Sequence, residues 1–370
     1  MQPLAGIKVV DFSTLLPGPL ASLILAEAGA EVVKIERPGG GDELRGYEPA
    51  FGAASAGFAL LNRGKRSITL DLKANRAKER LMPLLRSADA LIEQFRPGVM
   101  ERIGLGYPAL VSINPRLIYC SITGYGQSGP KAQVAAHDLN YLAETGLLHL
   151  AAGPDGAPVV PPALIADIAG GSYPAVLNIL LALRERDATG RGCHLDIAMT
   201  DHLFPLMWWA LGQGFAGGRW PRLGGEVLTG GSPRFQIYPT ADGRFLATAP
   251  LEQRFWQRFA ELIGLEPALR DDRRDPAATK ARVAAIIQSH DAAHWRARFA
   301  GEDVCCAVVA SLEEAVRDPH FVGRGLFAGA LTDGAGRFIP ALPVPLAPVF
   351  REARAASYPA LGEGEDLLDE

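Results

Sequence analysis

Short apolar runs alternate, in the first half of the chain, with longer segments in which apolar residues recur every three or four positions. Residues 7–12 predict a buried strand, residues 19–27 a helix that ends before Gly29, and residues 31–36 a second strand. Further strands are predicted at 67–72, 90–93, 117–122 and 193–198, and further helices at 76–85, at 98–103 and from His137 and Asp167. This order predicts an α/β fold with a Rossmann-like, doubly wound parallel sheet.

The turn after the first predicted strand bears on cofactor use. A βαβ opening that ends in an acidic residue, here Glu36, is typical of dinucleotide-binding proteins, because that carboxylate can bind a ribose hydroxyl. Residues 13–19 read Ser-Thr-Leu-Leu-Pro-Gly-Pro and lack the G-x-G-x-x-G pattern that holds a pyrophosphate. The topology is therefore expected without NAD.

The second half of the chain has a different pattern. Glycine is dense and periodicity is lost over residues 214–234, which predicts a linker. Residues 235–325 follow with a hairpin pattern, several helical patterns and a capping box at Ser311 and Glu314, and they predict a smaller α+β domain. We expect residues 1–213 to form the large domain, rejoined by residues 326–370.

Composition and charge exclude several classes of protein. The 370 residues are 48% hydrophobic and 21% charged, which is typical of a folded globular chain. A formal net charge of −4 gives no general attraction to nucleic acid or to an anionic membrane. Residues 165–183 are apolar enough to suggest a membrane span, but they include Asp167, Gly170, Gly171 and Pro174, so we predict a buried helix.

The cysteines and the start of the chain indicate a cellular compartment. Cys120, Cys193, Cys305 and Cys306 have no metal-ligand spacing and are expected to be buried, reduced thiols. The first residues lack the basic end and long apolar segment of a secretory signal. These features predict a cytoplasmic protein.

Two acidic residues and one histidine are the main candidates for chemistry. His137 and Asp138 precede a helical pattern, and histidine exchanges protons near neutral pH. The pattern alone favours a simpler interpretation, in which Asp138 caps the helix and His137 lies on the surface. Asp167 opens an apolar helix, where Gly170 and Gly171 would let a substrate approach the backbone, although a capping carboxylate with packing glycines explains these residues equally well.

Basic and aromatic residues suggest ligand contacts. Residues 62–66 read Asn-Arg-Gly-Lys-Arg, and further basic residues follow at Lys73, Arg96 and Arg102. They could form a phosphate site, because arginine binds phosphate through two hydrogen bonds, although composition alone slightly favours a solvated face. Trp208 and its neighbours could line an acyl pocket, although paired aromatics on a helix more often belong to the core.

Several different short motifs are distributed along the chain, at residues 4–11, 17–19, 34–38, 62–66, 95–99 and 123–130. Together they resemble the family III CoA-transferases of the CaiB/BaiF type and their racemase relatives. Within that superfamily, residues 136–141 are similar to the Gly-His-Asp-Ile-Asn-Tyr segment of α-methylacyl-CoA racemases, with Ala136 in place of the glycine. Asp167, residues 228–233 and Glu252 stand in the same order and spacing as in those racemases.

The resemblance implies a role for individual residues. His137 and Asp167 correspond to the two acid/base residues of the racemases, and Asp138 and Glu252 to carboxylates that support the histidine. CoA contacts are implied for Arg37, Leu70, Asp71, Leu72, Lys73, Gln94, Phe95, Arg96, Arg102, Ala136, Leu139, Asn140 and Tyr141. The resemblance also implies that residues 1–213 bind CoA and that the protein is an interlocked homodimer.

The chemistry of a racemase agrees with these residues. Interconverting (R)- and (S)-2-methylacyl-CoA thioesters requires two acid/base groups on opposite faces of one carbon, but no cofactor and no metal. Amides at the helix start near His137 would stabilise the enolate. One alternative is a CoA-transferase in which Asp167 is a nucleophile and forms an acyl anhydride and then an aspartyl-CoA thioester; the other is an inactive CoA-binding protein. His137 and Glu252 favour the racemase, which would act in fatty acid or lipid metabolism on an acyl chain that the sequence does not identify.

Overall fold

The computed structural model describes residues 1–74, 76–153, 155–350 and 355–368. The chain divides into two compact units. The first unit comprises Met1–Leu142, Pro162–Leu206 and Pro319–Glu370, and the second comprises Ala143–Pro161 and Met207–Asp318. We expected the large domain to end at residue 213 and to resume at residue 326. The first unit instead ends at residue 206 and resumes at residue 319, and residues 143–161 belong to the second unit.

The first unit is built around a parallel sheet of six strands. The strands up to residue 198 are β1 (Lys8–Asp11), β2 (Glu31–Glu36), β3 (Ala50–Phe51), β4 (Ala54–Ser55), β5 (Arg66–Thr69), β6 (Ala90–Glu93), β7 (Ile118–Thr123) and β8 (His194–Ala198). The six-stranded sheet has the order β5-β2-β1-β6-β7-β8, and β3 pairs with β4 separately. The predicted doubly wound parallel sheet is thereby confirmed. Its order reverses between β1 and β6, which is where such sheets bind ligands.

Helices cover the sheet. They are α1 (Pro17–Glu27), α2 (Ala56–Asn62), α3 (Ala77–Ser87), α4 (Val99–Arg102), α5 (Tyr107–Val111), α6 (Asp138–Glu144) and α7 (Tyr173–Thr189). Val10, Ile35 and Leu91 of the sheet pack with Leu81 and Leu85 of α3 in one buried cluster. The strands of such a sheet are covered on both faces, which is why they read as continuous apolar runs in the sequence.

A seven-residue π-helical turn, Ala166–Ser172, continues directly into α7. By length and composition alone, the combined helix could cross a membrane. In its most apolar stretch of 18 residues, 44% is buried. Ile179 lies in the core, whereas Leu177 and Leu181 are 58% and 59% exposed. The prediction of a buried helix is therefore correct for one face of α7 and wrong for the other.

The second unit is a separate α+β body. Its elements are α8 (Trp208–Gly217), β9 (Gln236–Pro239), β10 (Phe245–Thr248), α9 (Gln253–Leu262), α10 (Pro276–Gln288), α11 (Ala292–Phe299), β11 (Cys306–Val308) and α12 (Leu312–Val316). The antiparallel sheet β11-β10-β9 packs on a core that contains Trp256, Phe259 and Trp295. The predicted hairpin and the capping box at Ser311 and Glu314 are both present.

Two predictions about burial are wrong. Cys120 is buried, but Cys305 is exposed and the remaining two cysteines are half-buried, although all four are free. Trp208 is 72% exposed rather than part of the core. Residues that follow an apolar pattern are more often buried, but the pattern does not show whether another element covers them.

The last part of the chain returns to the first unit. It forms α13 (Pro319–Gly323) and a small sheet made of β12 (Ala330–Thr332), β13 (Phe338–Pro340) and β14 (Ala356–Ser357). Tyr358 follows β14, and its hydroxyl donates to the carbonyl of Phe51 at 2.6 Å. The segment therefore packs on the first unit.

Candidate active site

The carboxylate of Asp138 joins two of the predicted catalytic segments. Asp138 is the first residue of α6 and is buried. Its Oδ1 accepts hydrogen bonds from the backbone amides of Ala166 at 2.6 Å and Asp167 at 3.1 Å. We expected this carboxylate to support the histidine or to cap its own helix, but it caps the π-helical turn that carries Asp167. It therefore positions the other predicted acid/base residue.

Asp167 has an environment suited to proton exchange near neutral pH. Burial is the largest cause that raises the pKa of Asp167, the negative charge of Asp138 adds to it, and the pKa reaches about 6. The charge of His137 acts in the opposite direction, which places the imidazole within electrostatic range of the carboxylate. A carboxyl group with a pKa near 6 can act both as a base and as an acid under physiological conditions.

His137 is exposed immediately before α6. Its backbone amide donates to Oδ1 of Asn140 at 3.0 Å, and its carbonyl accepts from the amide of Asn140 at 2.9 Å. The His137 amide is thus already occupied by Asn140. The next amides of the helix start, those of Asp138 and Leu139, are the ones that remain suited to that role, because first-turn amides have no partner within the helix.

Close packing explains the two glycines after Asp167. A Cβ atom on Gly170 would lie 2.4 Å from the carbonyl oxygen of Met199, and one on Gly171 would lie 3.2 Å from Pro17. Ser172 closes the turn: its hydroxyl donates to the carbonyls of Pro17 at 2.8 Å and Asp167 at 3.1 Å. The glycines therefore allow the turn to pack closely on Met199 and Pro17, which agrees with the packing interpretation of these residues and not with the approach of a substrate.

Several residues predicted to contact CoA make contacts within the protein. The side-chain amide of Gln94 donates to the carbonyl of Thr14 at 2.6 Å and accepts from the amide of Gly18 at 3.1 Å. Leu70 is buried, and Leu72 and Phe95 pack against the same core. Gln94 thus fixes the backbone that follows β1. Leu70, Leu72 and Phe95 belong to the core beside the carboxyl ends of β5 and β6.

The basic segment at residues 62–66 is also structural. Arg63 is buried and pairs with Glu27 at 2.7 Å. Lys65 is buried, and its Nζ donates to the carbonyl of Pro19 at 2.9 Å and to Oδ1 of Asn62 at 2.8 Å. The prediction that this segment forms part of a phosphate site is therefore wrong for both residues, because neither cation is accessible.

Other predicted CoA contacts remain accessible. Asp71 is exposed, and its carboxylate accepts from the amide of Lys73. Arg37 donates to the carbonyl of Gly41 at 3.0 Å and lies 3.4 Å from Glu43. Among the predicted CoA contacts that the structure describes, three cations form no ion pair: Lys73, Arg96 and Arg102. Of the implied contacts around the histidine, Ala136 is half-buried, Leu139 and Asn140 are exposed, and Tyr141 is buried.

Glu252 belongs to the second unit. It occupies the residue before α9, is exposed and makes no side-chain hydrogen bond to the start of that helix. The first unit thus brings together His137, Asp138 and Asp167, whereas the fourth predicted catalytic residue belongs to the other unit.

A buried carboxyl group that sequence reasoning missed lies at the end of β6. Burial raises the pKa of Glu93 to about 7. Its carboxylate accepts from the amide of Phe95 at 2.8 Å, at the start of a segment predicted to contact CoA. The only sequence signal was an acidic residue at the carboxyl end of an apolar strand.

One cavity of the first unit is not lined by His137, Asp138 or Asp167. It has a volume of about 630 Å³ and is lined at the amino ends of the strands by residues such as Lys8, Glu31 and Arg66. Leu70, Glu93 and Gln94 instead lie at or directly after the carboxyl ends of β5 and β6. Among the described residues, no three His, Cys, Asp or Glu side chains form a group that could hold a metal ion.

The chain is an α/β protein whose larger unit holds His137, Asp138 and Asp167, and comparison with known proteins gives its family. The family model for CoA-transferase family III matches residues 4–365. The chain is 37% identical over 337 residues to the α-methylacyl-CoA racemase of Mus musculus, which covers 90% of this chain and 83% of the relative. The chain belongs to CoA-transferase family III.

Further relatives lie at similar distances. The acetyl-CoA:oxalate CoA-transferase of Acetobacter aceti is 34% identical over 352 residues, covering 92% of this chain and 88% of the relative. The crystal structure of a CaiB/BaiF family protein from Brucella suis superposes with a TM-score of 0.84 at 28% identity, covering 99% of this chain and 98% of that chain. Family membership therefore does not by itself separate racemase from transferase activity.

Proposed function

We propose that the protein is a racemase that interconverts (R)- and (S)-2-methylacyl-CoA thioesters by moving a proton at C2. The observation that carries this proposal is the clustering of His137, Asp138 and Asp167, in which the pKa of Asp167 is raised to about 6. The similarity to the mouse α-methylacyl-CoA racemase supports the same activity.

In the proposed mechanism one residue removes the C2 proton and the other returns a proton to the opposite face. His137 deprotonates the (S)-enantiomer, and Asp167 deprotonates the (R)-enantiomer. The intermediate is an enolate whose charge lies mainly on the thioester oxygen, and amides at the start of α6 stabilise it. Both steps are proton transfers, so the chain's own residues suffice and no cofactor is required.

The unpaired cations support the proposal that a CoA thioester is the substrate. Lys73, Arg96 and Arg102 are available for phosphate groups, since they form no ion pair within the described residues. Arginine suits this task because its guanidinium can donate two parallel hydrogen bonds to one phosphate. Arg37 and the segment from Ala136 to Tyr141 complete the proposed CoA contacts.

A CoA-transferase remains the second candidate because the chain is 34% identical to the oxalate CoA-transferase. In that reaction the Asp167 carboxylate attacks the thioester carbonyl and the CoA thiolate leaves, giving an acyl anhydride; the thiolate then forms an aspartyl-CoA thioester and releases the acid. His137 has no necessary role in that sequence. A protein that binds CoA without turnover is a third, less favoured candidate.

We also propose that the protein acts as a cytoplasmic homodimer and binds neither membrane nor nucleic acid. The exposed leucines of α7, at positions 177, 180 and 181, support an interface on that helix, since apolar surface gains stability when it is covered. The four free cysteines support a reducing compartment. Light scattering of the purified protein would test the dimer, and a monomer at all concentrations would contradict it.

Deuterium exchange tests the reaction. Each pure enantiomer of a 2-methylacyl-CoA is incubated with enzyme in deuterated water, and mass spectrometry and chiral separation follow the label and the product. We expect His137→Ala to block exchange from the (S)-enantiomer and Asp167→Asn to block it from the (R)-enantiomer, each by about 10²- to 10⁴-fold. Racemisation should fail in both variants.

Matched variants control for nonspecific effects. Asp201→Asn and His149→Ala alter exposed residues of the same types and should retain both exchange reactions. CoA transfer that depends on a free acid and proceeds without deuterium exchange would replace the racemase by the transferase. Tight CoA binding with neither reaction would favour the inactive protein.

A further inference from the structure

Four charged side chains are buried together at the carboxyl ends of β1 and β2, and the proposed mechanism uses none of them. Nζ of Lys34 lies 3.0 Å from Asp42, and Nζ of Lys65 lies 3.5 Å from Asp11; all four side chains are fully inaccessible. Burial alone would raise the pKa of Asp11, but the charges of both lysines and two hydroxyl hydrogen bonds lower it overall, so this carboxylate stays ionised. Burying four charges is costly even when they are paired, which calls for a purpose.

The charges hold the backbone of the β1–α1 turn, residues 13–18. The Asp11 carboxylate accepts from the amide of Ser13 at 2.8 Å and from its hydroxyl. Nζ of Lys34 donates to the carbonyl of Ser13 at 2.6 Å. The Asp42 carboxylate accepts from the amide of Leu15 at 3.1 Å. Apolar packing could cover this turn, but it could not specify these backbone atoms.

The conformation of the turn needs such support. Leu15 has a φ of 61°, a left-handed conformation that is strained for a residue with a branched side chain. Leu16 precedes α1 without a side-chain cap for that helix. Gln94 contributes from the next strand across the reversal of the sheet, because its amide holds the carbonyl of Thr14 and the amide of Gly18. The turn is therefore clamped from both sides.

The clamped turn contacts the segment that carries Asp167. The hydroxyl of Ser172 bridges the carbonyls of Pro17 and Asp167, at 2.8 Å and 3.1 Å. Gly171 approaches Pro17 so closely that an added Cβ atom would lie 3.2 Å from it. A displacement of the β1–α1 turn would thus be transmitted to the π-helical turn Ala166–Ser172.

We infer that the buried Lys34–Asp42 pair, together with Asp11, is a positioning device that holds Asp167 in its reactive place through the β1–α1 turn. Lys65 adds to the device through contacts of its Nζ, which lies 3.5 Å from the Asp11 carboxylate and donates to the hydroxyl of Ser22 at 2.7 Å. The inference rests on the proposed role of Asp167 as an acid/base residue. A shift of an acid/base group by about 1 Å can cost about 10²-fold in rate, so the rate should fall before folding is lost.

The test removes both charges of the pair at once, which avoids leaving one buried charge unpaired. The variant Lys34→Met/Asp42→Asn is compared with the control Arg186→Met/Asp89→Asn. The control removes another largely buried ion pair of the same unit, with a distance of 2.7 Å. Arg186 lies on α7, the helix that continues the π-helical turn. Thermal melting, kcat, KM and deuterium exchange from each enantiomer are measured. We expect kcat and exchange from the (R)-enantiomer to fall at least about ten-fold, while KM and exchange from the (S)-enantiomer change less than about three-fold. The control should keep both exchange rates.

Equal loss of exchange from both enantiomers, or no loss in a folded double variant, would overturn the inference. If the double variant does not fold, Ser172→Ala provides the second test, because it removes only the hydroxyl bridge. A folded Ser172→Ala variant with selective loss of exchange from the (R)-enantiomer supports the inference, and wild-type exchange in that variant overturns it. Failure of the proposed function is distinguishable, because the wild-type enzyme would then exchange neither enantiomer.

Discussion

In the proposed mechanism Asp167 acts as a base, and we expect the charge of Asp138 to shift the pH range in which it does so. Asp138→Asn is the informative change, because an asparagine Oδ1 can still accept from the amides of Ala166 and Asp167 while the negative charge is removed. The native pKa of Asp167 is raised from 3.8 to about 6. The charge of Asp138 is the second cause of that increase, after burial, and burial persists in the variant.

The expected magnitude follows from those two causes. The total shift of about two units corresponds to roughly 3 kcal/mol in favour of the neutral form, of which the smaller part comes from Asp138. We therefore expect Asp138→Asn to lower the pKa of Asp167 by about 0.5 to 1 unit. Asp167 is an active base only when ionised, so activity is lost as the pH falls through its pKa. With a pKa of 5 instead of 6, the ionised fraction at pH 5 would rise about five-fold.

The assay is the pH dependence of kcat/KM for deuterium exchange from the (R)-enantiomer. The acid limb should lie near pH 6 in the wild-type enzyme and move to lower pH in Asp138→Asn. Asp196→Asn serves as a control, because Asp196 is another carboxylate of the first unit that accepts from a backbone amide, that of Gln127. An acid limb that stays in place or moves to higher pH, or an equal shift in the control, would refute the reasoning.

Three further changes test binding and packing. Arg102→Ala should raise KM with little change in kcat, since a phosphate contact binds ground and transition states equally; a fall in kcat at constant KM would contradict that placement. Gly170→Ala should lower both the melting temperature and activity because its Cβ would meet the Met199 carbonyl at 2.4 Å, whereas Gly212→Ala, with open space in α8, should be neutral or stabilise by about 0.5–1 kcal/mol. Trp256→Ala, in the core of the second unit, should cost about 3–5 kcal/mol of unfolding free energy in denaturant titration.

The sequence alone predicted the class of fold and most element positions in the first unit. The strands at residues 31–36 and 90–93 have the predicted bounds, and neighbouring elements differ by a few residues at their ends. This succeeded because parallel strands covered on both faces are continuous apolar runs, and glycine and proline mark the turns between them. The resemblance also identified His137 and Asp167 as candidates, because the motifs around them and their spacing can be read from the sequence.

Only the tertiary structure decided which polar groups serve the fold and which serve the site. Asp138 lies beside His137 in sequence, yet its carboxylate reaches amides 28 and 29 residues away. Lys65 sits in a segment that resembles a phosphate site, yet it is buried against Asp11. The physical reason is that the hydropathy pattern records what a residue prefers, whereas its burial and partners depend on elements brought together from distant parts of the chain.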